Sequence, residues 1–134
     1  MSDFFEGLFY FAAYFAAAVA FCVAFGAVYL RLTPHREFYL MAHEQNASAG
    51  LALGGSLVGF AIGLAGAIHN THGALEFVAW AVVAALTQVV AYGLARLAHP
   101  NLSQAIEKDA LAAALWLAAV SISAGVVSAA CMSP

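Results

Sequence analysis

The stretch from Ser48 to Ile68, SAGLALGGSLVGFAIGLAGAI, carries no charged residue. A helix needs about 20 apolar residues to cross the hydrocarbon core of a bilayer, and this run supplies them. Glycine stands at Gly50, Gly54, Gly55, Gly59, Gly63 and Gly66. In water, each internal glycine would cost a helix roughly 1 kcal/mol relative to alanine. In lipid no water competes for the backbone, so the helix persists, and small residues let a neighbour approach closely. Gly55, Gly59, Gly63 and Ala67 recur at every fourth position and predict one smooth packing stripe. Ser121, Gly125 and Ala129 repeat that spacing near the other end of the chain.

Lipid is the solvent that the composition demands. Hydrophobic residues make up 65% of the 134 positions and charged residues 8%. Soluble domains hold about 45–50% and about 25%, so a chain of this size could not hide its apolar surface from water. The net charge of −3 and the scarcity of Lys and Arg exclude a nucleic-acid partner. Asp3 and Glu6 precede the first apolar run with no Lys or Arg. A secretory signal starts positive, so this run reads as a retained helix.

Four spans follow, near residues 4–30, 48–68, 77–97 and 111–130. The expected fold is an all-α membrane protein, one domain over residues 1–134. Between the first two spans lies RLTPHREFYLMAHEQNA. There Pro34 stops the helix, Phe38 to Met41 suit an interfacial segment, and Asn46 or Ser48 caps the second span. Ser103 is expected to cap a short helical turn before the fourth span. Tyr10, Tyr14 and Tyr29 are read as interfacial anchors. Arg31, Arg36, Arg96 and Lys108 all lie in or beside the connectors 31–47 and 98–110. The positive-inside rule puts these connectors in the cytoplasm and both termini outside, on the periplasmic side. The halves also look duplicated, as residues 1–70 and 71–134. Arg31 and Pro34 recur as Arg96 and Pro100, Asn46-Ala47 as Asp109-Ala110, and Ser56 as Ser121. Two spans per half insert both copies the same way up, as tandem repeats about an axis along the membrane normal.

Ionisable groups within a membrane mark function because they are costly there. Here Glu6 and Glu76 sit at span ends, and no Asp, Glu, Lys, Arg or His lies mid-span. Proton-coupled transport and voltage sensing are disfavoured accordingly. Gln88 is the strongly polar residue near the middle of a span. It reads first as interhelical hydrogen-bond glue and second as part of a polar pathway with Ser56, Ser121 and Ser123. His69, His72 and Glu76 share a face if the third span begins early, and Cys131 and Met132 emerge on the same outer side. Imidazole and soft sulfur there suit copper(I) or zinc, against the plainer reading of unconnected residues in a wet loop. Cys22 and Cys131 stand roughly 25 Å apart by helical rise, so they read as free thiols. No phosphate-binding loop is present, since the glycines are mid-span, and no histidine base shares a depth with the serines.

The runs TPHREFYLMAHEQNASAGLALGGSLVGFAIGLAGAI, LEFVAW, RLAHPNLSQAI and AACMSP, with Gln88, resemble the domain-of-unknown-function 350 family, the YjfL-type inner-membrane proteins, a UPF transmembrane family. The likeness covers nearly the whole chain. It implies a small bacterial inner-membrane protein of two two-helix modules and brings no assigned activity. Departures fall at Ser128, Glu76, Gly63 and Asp109, where the family usually has Asn, Asp, Pro and Asn. Without the proline, a straighter second span is expected.

The expected function is therefore that of a non-enzymatic structural or accessory component without a cofactor. It would oligomerise or join other membrane subunits through stripes at Gly55, Gly59, Gly63, Ser121 and Gly125. A small channel or transporter built around Gln88 and Ser56 is the alternative. A periplasmic-side copper or zinc site at His69, His72, Cys131 and Met132 is the third.

Overall fold

The computed structural model describes residues 2–32, 45–70 and 73–132. Its elements are α1 (Ser2–Leu32), α2 (Ala47–Asn70), α3 (Ala74–Ala98), the short α4 (Leu102–Glu107) and α5 (Leu111–Cys131). The four long helices are long and apolar enough to cross a membrane. The segment with Pro34, Arg36 and Phe38 to Met41, and its histidines, lies outside the described residues, as does His72.

The helix ends show why the spans outrun their sequence limits. Asn46 Oδ1 accepts the Ala49 amide at 2.9 Å, which starts α2 at Ala47. Asn70 Nδ2 donates back to the Gly66 carbonyl at 2.9 Å, which carries α2 past His69. Gly73 is extended, at φ −162° and ψ 161°, so α3 restarts after it. Ser103 falls inside α4, after the cap position held by Asn101, rather than ahead of the helix. Gln45 and Asp109 take left-handed backbone, at φ 52° and 59°, two residues ahead of α2 and α5. Asp109 is of the type that tolerates this conformation.

α2 is the hub. It makes its most extensive contact with α5, while α3 packs on both and α1 packs on α2. Gly55 meets Ala118, Gly59 meets Ser121 and Gly125, and Gly66 meets Ala129, so the numbers rise together and the two helices run parallel. A Cβ at Gly66 would stand 2.7 Å from the Ala129 Cα. One at Gly125 would stand 2.9 Å from the Gly59 Cα. The backbones are close enough that neither position admits a side chain.

The stripe is not the straight line that four-residue spacing suggests. Four residues overshoot a full helical turn by about 40°. By Gly63 the row has rotated to face Ala84 of α3, 3.0 Å from the Cβ that glycine lacks. Gly66 takes up the contact with α5 instead.

On the other flank, aromatic rings fill the seam of α1 with α2 and α3. Phe25 stacks on Phe60 at 4.4 Å between centroids, and Tyr14 and Phe21 both meet Phe77 edge-on. Tyr29 packs inward against Tyr92 at 6.1 Å rather than serving as an exposed anchor. By contrast Phe4, Phe5, Phe9 and Phe11 are exposed, Phe9 by 69%. α1 has 31 residues, about 46 Å of helix, against a hydrocarbon core of about 30 Å.

Candidate functional site

Three polar side chains converge where α2, α3 and α5 cross. Gln88 of α3 is 4% exposed, Ser56 of α2 is 1% and Ser121 of α5 is 2%. Gln88 Nε2 donates to the Ser121 carbonyl at 3.1 Å. The Ser56 and Ser121 hydroxyl oxygens stand 3.5 Å apart. Gly59 makes this meeting possible. Its missing Cβ would collide with the Ser121 carbonyl and stand 3.0 Å from Gln88 Nε2. Gln88 Oε1 is buried and has no hydrogen-bond partner among the described residues. The neighbouring Thr87 is satisfied locally, donating to the Val83 carbonyl at 2.8 Å. Ser123, grouped with these residues from sequence, is exposed and lines a groove between α3 and α5.

A second polar cluster ties the connector before α5 to the start of α2. Asn46 Nδ2 donates to the Ile106 carbonyl at 3.0 Å while its Oδ1 caps α2. Asp109 Oδ1 accepts the Ser48 amide at 3.0 Å. The Ser48 hydroxyl and amide beside Asp109 hold its carboxyl below the ordinary carboxylate range. A carboxylate also suits the positive end of the α2 dipole. Sequence reading found Asn46 as a cap. It missed Asp109, which reaches α2 from 61 positions away in the chain. Trp116 was also missed, and its indole donates to the Ala95 carbonyl at 3.2 Å.

Of the expected metal site, His69, Cys131 and Met132 fall within the described residues and His72 does not. His69 ends α2 and Glu76 opens α3, with the helix broken between them at Gly73, so they share no helix face. Cys131 is exposed, whereas Met132 turns inward and is 1% exposed among core residues that include Phe77 and Leu64. Among the described residues, no three His, Cys, Asp or Glu side chains gather as metal ligands would. Both cysteines are free.

Two open grooves flank the bundle. One of about 740 Å³ lies between α3 and α5, with Trp80, Thr87, Trp116 and Ser123 in its walls. One of about 750 Å³ lies between α1 and α2, with Phe15, Cys22, Leu53 and Leu57 in its walls.

The family model for DUF350, a domain of unknown function, matches residues 3–132. The chain belongs to the DUF350 family. Among DUF350 relatives, the UPF0719 inner membrane protein YjfL of Escherichia coli (strain K12) is 33% identical over 128 residues, covering 96% of each chain. The protein of the same name from Escherichia coli O157:H7 matches equally, at 33% over 128 residues. No solved structure matches the chain. With four helices able to span a membrane and these relatives, this DUF350 chain is a multi-pass inner-membrane protein.

Proposed function

We propose that this DUF350 protein is a non-catalytic membrane component that associates laterally, with further copies of itself or with other membrane subunits. The supporting observation is the one-sided packing of α1. From Tyr14 onward α1 rests on the bundle, whereas every position from Ser2 to Ala13 is exposed. The glycine ridges are occupied within one chain, so the associating surface is the aromatic α1 rather than Gly55, Gly59 and Gly63. Phe9→Cys crosslinked in native membranes tests this. Covalent dimers or heteromeric adducts are expected, and a purely monomeric product in membranes and in native mass spectrometry would refute it.

The same proposal includes one domain of two tandem repeats, 1–70 and 71–134. Left-handed backbone two residues ahead of both α2 and α5 supports it, as does the meeting of Tyr29 with Tyr92 and Ser56 with Ser121. Arg31, Arg96 and Lys108 gather at the end where α1 and α3 finish and α5 begins, which supports a cytoplasmic placement of that end and periplasmic termini. Labelling of single cysteines by an impermeant reagent checks it, with modification at position 69 from the periplasm expected. A small channel or transporter is the second reading, supported by the polar junction at Gln88, Ser56 and Ser121. Solute flux into proteoliposomes that Gln88→Leu abolishes would favour it, and no flux would count against it.

A further inference from the structure

We propose that Gln88, Ser56 and Ser121 bind a water molecule inside the bundle, at the crossing of α2, α3 and α5. The argument begins with the Gln88 amide. Its nitrogen is used, donating to the Ser121 carbonyl at 3.1 Å. Its oxygen, with two lone pairs to fill, is buried and has no partner among the described residues. A bare acceptor in hydrocarbon carries the full desolvation cost of the group, whereas a donor placed against it removes that cost. The side chain is aimed at the point of closest approach between α2 and α5, since Nε2 lies 3.0 Å from where a Gly59 Cβ would stand.

The rest of the junction fits water. Ser56 and Ser121 present hydroxyls 3.5 Å apart, the outer limit of a direct hydrogen bond, and each can donate and accept. Buried waters typically make about three hydrogen bonds to groups that would otherwise be unsatisfied. One water donating to Gln88 Oε1 and exchanging hydrogen bonds with the serine pair supplies the partner that this oxygen lacks. The occupant is water rather than a cation because the span interiors contain no Asp or Glu to balance a charge. Entry follows from the groove between α3 and α5. Thr87 and Ala91, flanking Gln88, and Val120 and Ala124, flanking Ser121, line its wall. The inference stands whether or not the protein associates laterally.

Water-edited solid-state NMR on protein in lipid bilayers, with glutamine side-chain amides labelled with nitrogen-15, tests the site. Loss of one signal in Gln88→Leu assigns the Gln88 amide. Water magnetisation is expected to reach that amide at short mixing times, and the Ser56→Ala/Ser121→Ala variant is expected to reduce the transfer severalfold. An amide as dry as the Ala84 backbone would overturn the proposal. So would a signal that shifts when sodium is replaced by a bulky organic cation, because that marks an ion. Gln88→Met keeps the length and removes both polar atoms. It should lower the thermal midpoint if a water satisfies the oxygen, and a raised midpoint would contradict the proposal.

Discussion

α2 places 56% of its most apolar window inside the bundle, whereas α1 places 6% there. Both qualify as membrane spans, so hydropathy does not separate them. Side-chain size does. α2 presents Gly55, Gly59 and Gly66 to α5, and backbones meet there. α1 leaves Phe4, Phe5, Phe9 and Phe11 exposed, and such rings do not let two backbones touch as glycine does. In water, burial follows apolarity because the hydrophobic effect rewards it. In hydrocarbon that term vanishes between helices, and close van der Waals contact decides which helix goes inside.

Pairs of substitutions sharpen this contrast. The largest effect is expected at Gly59, where a side chain must displace the Ser121 backbone and the Gln88 amide. Gly59→Leu should destabilise by more than about 3 kcal/mol or prevent folding. Val58→Leu, one position away and exposed, should stay within about 0.5 kcal/mol. Steric-trap unfolding in bicelles reads both, and equal effects would remove the distinction between the faces. Next comes the aromatic seam. Phe60→Ala loses the Phe25 stack and should cost on the order of 2 kcal/mol, with Phe9→Ala near zero in the same assay.

The clasp at the start of α2 ranks third. Asn46→Ala deletes both the α2 cap and the bond to Ile106 and should cost about 1–2 kcal/mol. A smaller and pH-dependent effect is expected from Asp109. Its folded-state pKa is depressed, so its contribution is complete above the ordinary carboxylate value and is lost as pH falls through the lower, folded one. Hydrogen exchange at the Ser48 amide, taken relative to its intrinsic rate at each pH, should therefore accelerate on acidification below the ordinary carboxylate value. Asp109→Asn, which keeps an acceptor but does not titrate, should abolish that acceleration.

The four spans were legible because length and apolarity suffice to mark them, and their ends were missed by a few residues. Those ends depend on caps, such as Asn70 folding back on Gly66, that hydropathy does not register. Gln88 stood out because an amide is rare mid-span. Its partner could not be read, since the acceptor is the Ser121 backbone carbonyl and any residue carries one. The helix that receives the glycine row was equally hidden. The 40° drift of a four-residue repeat is visible in sequence, but which helix waits at each angle is a tertiary fact. Met132 shows the same limit, because the turn of the backbone after Cys131 decides that its side chain joins the core.

The account rests on α2 meeting α5 within one chain. Solid-state NMR of protein carrying labelled glycine, in bilayers, measures this through the cross-peak between the Gly59 and Gly125 Cα atoms. The peak should survive dilution with unlabelled protein at undiminished intensity per labelled molecule. Its disappearance on dilution would move the contact between molecules, and cross-peaks from Gly59 to lipid acyl chains instead would contradict the fold.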